Sequence, residues 1–121
     1  EMQRSLVGSE MCIRDRAYSV YLLQKDDQNI GYLTISRTDG IVLQSLYILS
    51  EYQRQGIGRA AFDFIKAYCR EHGAKFFTCH CVPENLNARA FYEKMGGEVI
   101  RTDLANEEPW QNSVTYRFAA A

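Results

Sequence analysis

Gln53-Arg54-Gln55-Gly56-Ile57-Gly58-Arg59 is the stretch on which the reading of this chain turns. It follows an apolar run from Ile41 to Leu49, uniform enough for a central strand. It precedes a segment in which Ile57, Ala61, Phe64, Ile65 and Tyr68 recur at three-to-four spacing, which predicts a helix to Arg70 ended by Gly73. A glycine-rich turn between a strand and a helix has a physical use. The first amides of a helix have no intrahelical acceptor and carry a partial positive charge. Gly56 and Gly58 remove side chains at that point, so the backbone can approach an anion, and Arg54 and Arg59 could add charge-assisted bonds. Two readings stand side by side: a pyrophosphate cradle, and a tight turn that binds nothing. No Lys-Ser or Lys-Thr follows the glycines and the third glycine of the dinucleotide fingerprint is absent, so neither of those two nucleotide motifs is present.

Outward from the turn, Tyr18–Leu23, Ile30–Ser36 and Ile41–Leu49 read as a three-stranded antiparallel meander. Lys25 to Asn29 is polar and turn-forming, and Thr38-Asp39-Gly40 is a hairpin signal. Beyond the helix, Phe76–Val82 reads as a strand. Asn85 is a candidate N-cap for a helix to Met95, which Gly96-Gly97 stops. Glu98–Thr102 and Val114–Phe118 read as strands, with a polar loop at Asn106–Pro109 between them. This order describes one mixed α/β (α+β) unit without repeats or linkers.

Composition narrows the function classes. The chain has 121 residues, 46% of them hydrophobic, enough for one core. Fourteen basic against fifteen acidic residues give a net charge of −1, so no global positive field points to nucleic acid or an anionic membrane as partner. No apolar run reaches the roughly 18 residues of a membrane span. Four cysteines without a dense framework fit reduced thiols, and a cytoplasmic location is the expectation. Cys79-His80-Cys81 invites a metal reading, but alternation on a strand sends the two cysteines to one face and His80 to the other. No metal is expected.

A second segment joins the glycine turn: Asn85-Leu-Asn-Ala-Arg-Ala-Phe-Tyr-Glu-Lys-Met-Gly96. Together they resemble the GNAT superfamily of acyl-coenzyme A-dependent N-acyltransferases. The family's Gln/Arg-x-x-Gly-x-Gly/Ala pattern falls on Gln53, Gly56 and Gly58. Its Asn-x-x-Ala…Tyr-x-Lys-x-Gly pattern falls on Asn85, Ala88, Tyr92, Lys94 and Gly96. The resemblance covers about residues 18–118. It implies a mostly antiparallel central sheet flanked by helices, with splayed central strands that admit the pantetheine arm of acetyl-CoA, the co-substrate. It implies an N-acetyltransferase that moves an acetyl group to a primary amine, small or peptidic, by direct attack in a ternary complex. The alternatives are a non-catalytic acyl-CoA-binding module and a small interaction domain. The implied cofactor-binding residues are Leu46, Tyr47, Ile48, Gln53, Arg54, Gln55, Gly56, Ile57, Gly58, Arg59, Asn85, Ala88 and Tyr92. A backbone N–H near Ile48 would face the thioester oxygen, and Tyr92 would be the general acid. Asn87 is a weaker candidate. The resemblance leaves monomer and homodimer both open.

The chain departs from the family pattern in three places. No carboxylate stands near Gln44 and Ser45, where some members carry a general base, so a water chain is the default route for the amine proton. Gly97 stands where an aromatic often follows the glycine. The strand and helices that normally open the fold are replaced by residues 1–16, which show neither helical nor strand period. Residues 5–16 resemble a sequencing-library adapter translated in one frame. The expectation is a non-native or disordered leader at 1–16, a single acyltransferase domain at 17–121, and a native N-terminal part that is missing.

Overall fold

The structure is a computed structural model and describes residues 6–13, 16–37, 40–104 and 107–120. Its elements in chain order are β1 (Leu6–Ile13), β2 (Arg16–Lys25), β3 (Gln28–Ser36), β4 (Val42–Ile48), α1 (Ile57–Glu71), β5 (Phe76–Cys81), α2 (Leu86–Lys94), β6 (Glu98–Asp103) and β7 (Ser113–Ala119). The strands form one seven-stranded sheet in the order β1-β2-β3-β4-β5-β7-β6. All neighbours are antiparallel except β4 and β5. The mixed, mostly antiparallel sheet expected from the sequence is present.

Residues 6–13 differ from the expectation. They pair with β2 in continuous register from Leu6↔Leu23 to Ile13↔Arg16. The reason is that pairing at a sheet edge uses backbone groups, whereas alternation appears in a sequence only when one face must be buried. The hairpin signal at Thr38-Asp39 lies outside the described residues, as does Asn106 of the polar loop.

The core lies between the sheet and α1. The helix buries Ile57, Ala61, Phe62, Ile65, Tyr68 and Cys69, each large apolar side chain contributing about 2 kcal/mol. Phe62 sits edge-on to Phe77 of β5 at 5.5 Å and to Phe118 of β7 at 5.0 Å. The apolar stripe assigned Phe64 to the core. Phe62 is the buried residue, and Phe64 lies at the margin against Tyr21, ring to ring at 4.7 Å. Gly73, at φ 72°, follows the helix in the left-handed conformation that terminates it.

Candidate functional site

The site begins where β4 stops being paired on one side. Its parallel partner β5 meets it at one position, Val42↔Thr78, with the Thr78 N–H bonded to the Ile41 carbonyl at 3.1 Å. Beyond that point the two strands separate. On the other side β4 stays bonded to β3, and the Leu49 N–H reaches the Ile30 carbonyl at 2.8 Å. Ile48 stands directly opposite Gly31. Flanked by that bond, Ile48↔Gly31 is a non-hydrogen-bonded pair, so the N–H and C=O of Ile48 point away from β3 and into the gap. The side chain of Gln53 takes the carbonyl, donating from Nε2 at 2.9 Å. The N–H faces the opening.

A short 3-10 turn at Ser50–Tyr52 then leads into the glycine turn. Gly56 is the N-cap of α1, at φ 81°, and no side chain caps the helix. The first helical bond runs from the Ala60 N–H to the Gly56 carbonyl at 3.0 Å. The amides of Ile57, Gly58 and Arg59 therefore lack intrahelical acceptors. The two glycines do different work. A Cβ on Gly56 would meet nothing within 4 Å, so this glycine serves its left-handed φ. A Cβ on Gly58 would lie 2.9 Å from Phe91 Cζ, so this glycine lets α2 close against α1.

Between α1, β4 and α2 lies a groove of ≈ 750 Å³. Of the residues singled out in the sequence, Leu46, Ile48, Gln53, Arg54, Gly56, Gly58, Arg59, Ala88 and Tyr92 line it. Four others stand elsewhere. Tyr47 is exposed with its ring against Tyr32 at 5.9 Å. Gln55 bonds Lys25 and Glu51. Ile57 is buried in the core. Asn85 caps α2, its side chain accepting from the Ala88 N–H at 3.2 Å. The groove also takes in Asn87, Phe91, Lys94 and Met95. Of these, Asn87 is the weaker candidate named from the sequence and Lys94 belongs to the family pattern, whereas Phe91 and Met95 carry no site role there. Their three-to-four spacing along α2 was the available signal.

Tyr92 is half-buried among Phe62, Tyr116 and Phe118, with ring centroids at 6.3, 5.5 and 6.1 Å. Its hydroxyl and the Cys79 thiol are close enough to act on each other's protonation. Burial, reinforced by Cys79 and Cys81, pushes the phenol well above its ordinary value of 10, so it carries its proton at neutral pH. Burial also pushes the Cys79 thiol up to about 12. The Tyr116 hydroxyl behind it accepts from Arg89 Nε at 3.1 Å and donates to Glu93 Oε2 at 2.9 Å. Along β5, Cys79 is buried and His80 exposed, the alternation that separates the three would-be ligands. Among the described residues no three His, Cys, Asp or Glu side chains converge to hold a metal. Among the same residues no helix is long and apolar enough to cross a membrane.

The model of the acetyltransferase (GNAT) family matches residues 2–97. The chain belongs to the GNAT family. The general reaction of that family is acetyl-CoA-dependent N-acetylation. An uncharacterized N-acetyltransferase in the pepI 3′ region of Lactobacillus delbrueckii subsp. lactis is 26% identical over 85 residues, 63% of this chain and 49% of that protein. The chain thus spans about half the length of that curated relative. Among solved structures, a chain from Desulfovibrio desulfuricans assigned to the GNAT family superposes with a TM-score of 0.77 at 21% identity, over 86% of this chain and 70% of its own. A GNAT family acetyltransferase from Elizabethkingia anophelis with acetyl-CoA bound gives 0.74 at 14% identity, over 84% and 76%. The sheet with its splayed β4 and β5 is therefore the GNAT fold.

Proposed function

We propose that this GNAT chain is an N-acetyltransferase that moves the acetyl group of acetyl-CoA directly onto a primary amine. One observation carries the reading: Gly58 and Arg59 with their bare amides at the start of α1, Ile48 with its unpaired N–H, and Tyr92 all border one groove. Each supplies something acyl transfer needs. The amides of Ile57, Gly58 and Arg59, with the Arg54 and Arg59 side chains, suit a diphosphate. The Ile48 N–H suits the thioester oxygen as charge develops on it. Attack forms the C–N bond and breaks the C–S bond. The amine gives one proton to water, and the Tyr92 phenol donates one to the departing thiolate and recovers it from solvent. Because the phenol is a weaker acid than the thiol it serves, proton donation accompanies C–S cleavage rather than preceding it.

The acetyltransferase unit in this reading is residues 17–121, since every described residue lining the groove falls there. The acceptor is a small or peptidic amine. Isothermal titration with acetyl-CoA and a thiol-release assay over a panel of amines test the proposal together. Binding with release establishes a transferase, and binding without release on any amine leaves a non-catalytic acyl-CoA-binding module. No binding leaves an interaction domain.

A further inference from the structure

The segment Ser50–Gly56 has one backbone bond of its own, from the Gln53 N–H to the Ser50 carbonyl at 3.3 Å, ahead of its strained part. Arg54 adopts φ 64°, where a residue other than glycine meets a steric cost, and Gly56 offers no capping side chain. The segment is also tied from outside. Lys25, the last residue of β2, donates from Nζ to Gln55 Oε1 at 2.7 Å. Gln55 in turn donates from Nε2 to the Glu51 carbonyl at 3.2 Å. On the other arm of the same hairpin, Gln28 Oε1 accepts from the Tyr52 hydroxyl at 3.1 Å. The hairpin that presents both is a two-residue turn with Asp26 at φ 52° and Asp27 at φ 65°, the left-handed pair of a type I′ turn. A stiff turn therefore grips the glycine segment at two points, and Gln55 is spent in the grip rather than in the groove.

We propose that Lys25 and Gln55 are positioning residues: the Lys25–Gln55–Glu51 chain holds Gly56 and the first amides of α1 aimed into the groove, so that affinity for a diphosphate ligand depends on a lysine that does not touch it. This rests on the acetyl-CoA reading above. Gln55 is exposed and Lys25 half-buried, and the bond between them lies at the surface, so the link contributes little to global stability and acts on local order.

The test pairs amide hydrogen exchange of residues 51–59 in the ligand-free protein with calorimetric titration of acetyl-CoA. Lys25→Met and Gln55→Ala should each speed exchange there and raise Kd by about three- to tenfold, with the melting temperature nearly unmoved. The double variant should be no worse than either single one, because both cut the same chain. Lys25→Arg, which keeps a donor, should restore most of the affinity. Weakening by Gln55→Ala alone would make Gln55 a direct ligand and overturn the proposal. So would weakening by Lys25→Met with unchanged exchange, which would be a bare charge effect. If the unmodified protein shows no affinity for acetyl-CoA, the functional reading fails, and the exchange comparison alone still decides whether the grip exists.

Discussion

Phe91 occupies the space that a side chain on Gly58 would need, with its Cζ 2.9 Å from an ideal Cβ and its Cε1 at 3.2 Å. The same ring packs on Phe62 at 5.4 Å, beside the Tyr92–Phe62 contact, so Phe91 helps seat α2 on α1. Adding a methyl group must displace the Phe91 ring, or α2 with it, and so reshape the groove that Phe91 lines. Gly58→Ala should destabilise the fold by about 1–3 kcal/mol and weaken acetyl-CoA binding. Adding Phe91→Leu should recover part of both losses. Thermal melts and titration of the single and double variants check this, and strictly additive losses would reject the contact as the cause.

Gly56, two residues away, fails for a different reason when substituted. Nothing lies within 4 Å of its would-be Cβ, but its φ is 81°. Gly56→Ala should therefore cost about 1–2 kcal/mol through backbone strain. Phe91→Leu should give no relief. Gly56→Asn should be milder, because asparagine tolerates the left-handed region. The ranking Gly, Asn, Ala in melting temperature is the result to look for.

Tyr92→Phe separates chemistry from packing. The ring contacts with Phe62, Tyr116 and Phe118 survive the change, and only the hydroxyl is lost. Turnover should fall by about 10²–10⁴-fold, with acetyl-CoA affinity nearly intact. Unchanged turnover would reduce Tyr92 to a packing residue. Since burial raises the phenol well above 10, active protein should show no alkaline loss of rate below about pH 10 from this group. Turnover should instead rise with pH as the acceptor amine loses its proton.

What could be read from the residues alone follows the strength of each physical signal. The glycine turn and the α2 segment were legible because helix starts need particular chemistry: a bare or left-handed cap at Gly56, a side-chain cap at Asn85. The gap between β4 and β5 came from the family resemblance, since no local pattern marks where two strands part. Tyr47 and Gln55 sit beside groove residues in sequence yet outside the groove in space. Alternation turns Tyr47 to the other face of β4, and Lys25, thirty residues earlier, captures Gln55. Long-range pairings of that kind leave no period. Phe62 and Phe64 both fall within the broad apolar stripe of α1, and only the positions of Phe77, Phe118 and Tyr21 decide which is central.

Alkaline stability provides a check on the core that needs no ligand. Cys69 and Cys79 are 0% and 1% exposed, and burial raises their thiols from 9.0 to about 11 and about 12. The unfolded chain ionises both near 9, while the folded protein keeps them protonated. Between pH 9 and 11 the folded state therefore binds more protons, and stability must fall as pH rises. This contribution is fully present below pH 9 and is lost progressively above it, with a limiting slope near 1.4 kcal/mol per pH unit for each thiol. Melting temperatures from pH 8 to 11 should decline accordingly. Cys79→Val, which keeps the volume and removes the titrating group, should flatten the decline by up to half. An identical slope in the variant would show that the Cys79 thiol already reaches water in the folded state, and that the wall between β5 and Tyr92 is open.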